Sequence, residues 1–175
     1  MEKISNEILD LIKYATTMEI NGRSFYEHVA DMTHNELGKK MFKKLAQDEI
    51  EHITTFGEIF TSVLNSDEWK KYIDQEENSK ETVLEKLKAR VKKEEHEERA
   101  SDLEALRIGM ELERESIDQY EKWAQETSDA KVQGIFKKII EEEKFHYDLL
   151  QAEYDNITNT GFWFNMAEFR MDGKF

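Results

Sequence analysis

Cysteine and proline are absent from the 175-residue chain, and glycine occurs only seven times. Without cysteine there is no disulfide, no thiolate zinc site, no catalytic thiol and no iron–sulfur or rubredoxin centre. Any bound metal must therefore be held by Glu, Asp and His. With no proline and few glycines, little interrupts a helix, so long helices are expected. Positive charge is also scarce: 25 Lys and Arg stand against 39 Asp and Glu, a net charge of −14. Such a chain repels phosphate backbones and anionic lipid surfaces, which argues against nucleic acid and membrane as partners. No apolar run is long enough to span a bilayer. The first residues, "MEKISNEILDLIKYA", mix acids with apolar residues and lack a signal-peptide core, so a cytoplasmic location is expected. The length suits one domain with a substantial core.

Apolar residues recur at alternating steps of three and four in four stretches, the seam of a bundle helix. The first stretch runs Ile8, Leu11, Ala15, Met18, Gly22, Phe25, Val29. The second runs Phe42, Leu45, Glu49, His52, Phe56, Ile59, Val63. The third runs Leu103, Leu106, Met110, Glu113, Ile117, Tyr120, Ala124, and the fourth Phe136, Ile139, Glu143, His146, Leu150. Thr33 with Glu36, and Ser101 with Glu104, have the spacing of capping boxes for the second and third helices; Asp129 can cap the fourth. The charged stretch 66–100 reads as a solvated crossover, with a short helix at "ETVLEKLKARV". A connection of that length lets the second and third helices run parallel. The predicted architecture is an all-α four-helix bundle over 1–157, followed by an aromatic tail, 158–175, packed on the bundle or on a partner subunit.

The chain also repeats itself. A shift of 94 residues superposes 19–52 on 113–146 with ten identities and no gap. Among them are Glu19 with Glu113, Tyr26 with Tyr120, Glu49 with Glu143 and His52 with His146. Two helix hairpins related by duplication are expected.

Glu49 and His52, like Glu143 and His146, are three residues apart, on one helix face. In a glutamate-rich chain this motif alone says little; its register says more. Glu19 and Glu49 are centred on the first predicted turn, near residue 34, and Glu113 and Glu143 on the second, near 128. In antiparallel hairpins all four carboxylates are then level, with His52 and His146 one turn on. A carboxylate in a core is costly unless paired or metal-bound. Two divalent cations would cancel the formal charge of four carboxylates. Carboxylate mixed with imidazole suits iron or manganese, with zinc also admissible.

One Glu from each of two helices plus Glu-x-x-His from each of the other two resembles the ferritin-like di-iron pattern. Within the first hairpin, "MEINGRSFYEHVA" followed by "LAQDEIEH" is similar to the rubrerythrin branch, and "GFWF" resembles the tail of relatives lacking a rubredoxin domain. The resemblance implies two iron ions bridged by Glu49 and Glu143. Glu19 and Glu113 would be terminal ligands, with His52 and His146 binding one ion each. Tyr26 and Tyr120 would hydrogen-bond the ligand carboxylates. Rubrerythrins use a further Glu one turn after the third helix's ligand, where this chain has Ser116. The expected site is thus the symmetric, six-ligand kind. Gly22 and Ser116, equivalent in the repeat, are expected to leave room beside the metals. His28, His34 and His96 read as surface residues, and Trp123 as core.

The implied activity is reduction of hydrogen peroxide or dioxygen with an external electron donor, by a homodimer. A ferroxidase acting on ferrous iron is the alternative. A non-catalytic bundle stapled by metal is a third reading.

Overall fold

A computed structural model describes residues 6–64, 91 and 98–166. Four helices account for most of them: α1 (Asn6–Met32), α2 (Glu36–Leu64), α3 (Glu98–Glu126) and α4 (Ala130–Thr160). Each is about 40–46 Å long at 1.5 Å per residue. α1 packs along α2, and α3 along α4, as two antiparallel hairpins.

Contacts between the hairpins set the remaining directions. Tyr26 of α1 bonds Glu113 of α3, while Glu19 bonds Tyr120. The rising number on one helix meets the falling number on the other, so α1 and α3 are antiparallel. α2 and α3 both oppose α1 and therefore share a direction. The expected short helix, 81–91, lies outside the described residues except for Val91, and residues 98–100 of the expected crossover open α3. Val91, expected in a solvated stretch, is buried in the core instead.

The caps differ in part from the sequence expectation. Asp129 does cap α4, accepting hydrogen bonds from the amides of Lys131 and Val132. Thr33 does not cap α2. Its amide bonds back to the Val29 carbonyl at 2.8 Å, so Thr33 completes the exit of α1. The cap is Asn35, whose side-chain oxygen accepts from the Leu37 and Gly38 amides. Ser101 does not cap α3 either, because that helix starts at Glu98 and Ser101 is inside it. Glu104 pairs with Arg107 instead. α4 runs to Thr160, past the expected boundary at 157, and stops at Gly161, whose φ of 82° suits glycine.

Two apolar clusters fill the bundle. One, at the α1–α2 turn, holds Phe25, Met41, Phe42, Leu45, Leu106 and Leu150. The other, at the α3–α4 turn, holds Phe56, Ile59, Tyr120, Trp123, Phe136 and Ile139. Beyond α4 the chain folds back, and Trp163 seals the first cluster. Its ring meets Phe42 edge-on at 5.9 Å, and its indole N–H donates to Asp102 at 3.1 Å. The close approach depends on Gly38, where a Cβ would stand 2.7 Å from the indole. Between the two clusters lies a polar layer.

Candidate metal centre

That layer contains Glu19, Glu49, His52, Glu113, Glu143 and His146, none more than 4% exposed. One residue comes from each of α1 and α3, and a Glu-x-x-His pair from each of α2 and α4. The level heights expected from hairpin register are those observed. The apolar plugs on either side keep water from solvating these charges, so the layer must neutralise itself from within.

Its atoms fall into two groups that could each hold an ion. Glu19, Glu49, His52 and Glu143 offer ligand atoms all within 4.8 Å of one another; so do Glu49, Glu113, Glu143 and His146. Glu49 and Glu143 belong to both groups, whereas the other four residues belong to one each. The two imidazoles lie side by side, their centroids 6.1 Å apart.

The hydrogen bonds repeat the duplication and cross between its halves. Tyr26 donates to Glu113 Oε1, and Tyr120 to Glu19 Oε1. Each tyrosine thus serves the carboxylate of the opposite hairpin. Glu19 Oε2 is left facing His52 Nδ1 at 2.9 Å. His146 Nδ1 lies 3.2 Å from Glu143 and 3.8 Å from Glu113.

The far nitrogens of the imidazoles meet two residues that did not stand out in the sequence. His52 Nε2 is 2.9 Å from Glu142 Oε2, and His146 Nε2 is 3.3 Å from Asp48 Oδ2. Asp48 and Glu142 are themselves equivalent at the shift of 94. Each is the acid directly before the Glu of a Glu-x-x-His, and each pairs with a lysine four residues earlier, Lys44 and Lys138. The repeated Lys-x-x-x-acid pattern was the available signal. Such carboxylates fix which imidazole nitrogen is free to bind a metal.

Titration behaviour reflects a layer short of positive charge. Glu49 is pushed well above the usual range by burial and by Glu19 and Glu143. Glu113 is raised by burial and then by Glu143. Burial acts on Glu143 in the same direction, but hydrogen bonds from His146 and His52 outweigh it and hold that carboxylate low. Burial alone would make His146 less basic; bonds to Asp48 and Glu143 instead raise it to about 10. His52 is likewise raised, by Glu19 and Glu142 against its burial. The imidazoles act as cations among carboxylates. The raised Glu49 and Glu113 are carboxyls that keep their protons beside two imidazolium cations, in place of missing positive charge. Two divalent ions with neutral imidazoles would offset all four carboxylates in ionised form, so the donor set fits metal.

Other expectations change. Gly22 does not open a space for an oxidant. A Cβ there would lie 3.2 Å from Glu49 Oε1, so that carboxylate occupies the room the glycine leaves. Ser116 is partly exposed. His28, expected at the surface, is half-buried with its Nε2 enclosed and without a hydrogen-bond partner. His34 is exposed, and His96 lies outside the described residues. Trp123 is core, as expected.

No helix of the described residues is long and apolar enough to cross a membrane. The family model for rubrerythrin matches residues 10–154. Comparison with curated proteins and with solved structures gives no match.

Proposed function

The chain belongs to the rubrerythrin family, and from that premise we propose a di-iron oxidoreductase that reduces hydrogen peroxide or dioxygen with electrons from an external donor. One observation carries the reading: Glu49 and Glu143 are common to both four-residue groups. Two residues shared by two adjacent sites are what a bridged metal pair requires. Glu19 and His52 would complete one site, Glu113 and His146 the other.

When bound, the two irons supply the redox equivalents for cleaving an oxygen–oxygen bond. The chain's own residues hold the geometry. Tyr120 takes Oε1 of Glu19 and leaves Oε2 facing His52, while Tyr26 holds Glu113 by its Oε1. Glu142 and Asp48 hold the imidazoles by Nε2 and leave Nδ1 for metal. The apolar clusters exclude water from above and below.

A ferroxidase reading draws on the symmetry of the layer. Each half has the same donors, and Ser116 offers no extra carboxylate to one ion, so neither ion has an alternative ligand to move to. Measurements on one iron-loaded sample separate the readings: metal content, peroxide consumption with a reductant, and uptake of ferrous iron. Two irons per chain with catalytic peroxide loss support the proposal. Retained ferric product without peroxide turnover favours the ferroxidase. Two metals with neither activity identify a structural staple, and one metal or none defeats the paired site.

A further inference from the structure

Three oxidisable rings form a line from the Glu–His layer to the surface. Tyr120 is fully buried and donates its hydroxyl to Glu19. Trp123, one turn further along α3, has its ring centroid 5.6 Å from that of Tyr120. Tyr14 of α1 meets Trp123 edge-on at 5.5 Å. Exposure rises along the line, from 0% at Tyr120 through 8% at Trp123 to 48% at Tyr14. Phe56 and Phe136 complete the cluster around Tyr120, at 5.9 and 5.6 Å. A phenyl ring resists oxidation far more than phenol or indole does, so only Tyr14, Trp123 and Tyr120 can pass an electron. Tyr14 also lines a surface hollow of about 430 Å³ with Met18, Glu115, Asp118, Gln119 and Lys122.

We propose that Tyr14, Trp123 and Tyr120 are the electron route by which a one-electron reductant at the surface re-reduces the centre, an inference that rests on the metal-centre reading above. An electron leaves Tyr120 for the centre once peroxide has made it a stronger oxidant than a phenoxyl radical, while the phenolic proton passes to Glu19 Oε1, which already accepts its hydrogen bond. Trp123 returns an electron to Tyr120, and the proton moves back. Tyr14 refills Trp123, giving its own proton to water, and recovers both when the reductant supplies its electron. The net transfer is one electron from reductant to centre, with no bond made or broken and no net proton.

The route can be tested with a redox-silent metal. Zinc accepts carboxylate and imidazole ligands and does not change oxidation state. The full chain is incubated with zinc and photo-oxidised by flash with tris(bipyridine)ruthenium, a cation that the Glu115–Asp118 rim favours. Electron paramagnetic resonance is expected to record a tyrosyl radical that Tyr120→Phe removes. Trp123→Phe and Tyr14→Phe should each lose most of that inner signal. Trp123→Tyr, oxidisable and aromatic, should restore it, and Phe136→Leu, which touches the same rings, should leave it unchanged. An undiminished inner radical in Trp123→Phe, or none in the parent chain, overturns the route. Zinc titration of the same samples reports separately on the metal centre. Two zinc ions with a Trp123-independent radical would sink the route alone; no zinc with a Trp123-dependent radical would sink the metal reading alone.

Discussion

His52 and Glu142 are 90 residues apart in sequence and on different hairpins, yet His52 Nε2 stands 2.9 Å from Glu142 Oε2. His146 and Asp48 make the reciprocal contact at 3.3 Å. Neither Asp48 nor Glu142 belongs to the groups that could hold an ion. They act on the centre through the imidazoles.

Asp48→Asn and Glu142→Gln should therefore weaken metal binding without changing how many ions bind. Losing such a partner costs about 10–100-fold in affinity. Competition titration against a chelator reads the affinity, and elemental analysis of saturated protein the number. A fall in stoichiometry at saturation would mean that these acids are ligands themselves.

Glu19→Ala and Glu49→Ala should differ. Glu19 contributes to one group of four and Glu49 to both. Glu19→Ala is expected to keep one ion after desalting, and Glu49→Ala none. Equal losses in the two variants would contradict the shared role of Glu49.

Gly22→Ala should separate stability from binding. Alanine in a helix interior is about 1 kcal/mol better than glycine, so the metal-free chain should melt at the same temperature or higher. The new Cβ, however, lies 3.2 Å from Oε1 and 3.3 Å from Cδ of Glu49, so that carboxylate must give way. Metal affinity should fall as thermal stability holds. Unchanged affinity would show that Glu49 has another seat.

Glu153 offers a pH test away from the centre. It is 1% exposed and accepts a hydrogen bond from the Phe164 amide at 3.3 Å. Burial raises it to about 8, against only partial relief from that amide. Its folded value exceeds its unfolded one, so folding takes up a proton. The stability it contributes is complete below the unfolded value, near 4.3, and is lost as pH rises through about 8. Glu153→Gln should match the parent chain in urea midpoint at pH ~4 and exceed it above pH ~8. A constant difference across that window would rule out Glu153 as the titrating group.

Much of this architecture was legible in the residues. Periodicity places Ala15, Glu19 and Gly22 on one stripe of α1, because side chains three and four apart share a helix face. Turn position then gives height, since an antiparallel hairpin carries residues equidistant from its turn to the same level. Glu19 with Glu49 and Glu113 with Glu143 follow from these two rules alone. Local chemistry was less reliable at helix starts: Thr33 and Asn35 are both good caps, and which one serves depends on where α1 stops.

What the sequence by itself determined is the layer: four carboxylates at one height with two imidazoles one turn on, on faces that must turn inward, in a chain that offers no thiolate. Tertiary structure alone decided who meets whom across the layer. Rotation of one hairpin against the other sends Tyr26 to Glu113 rather than to its own hairpin's carboxylate, and His52 to Glu142. The same packing lets Glu49 fill the space above Gly22 and sets Tyr14 against Trp123. A helix pattern records only direction from its own axis; such contacts depend on how two helices are turned and spaced relative to each other.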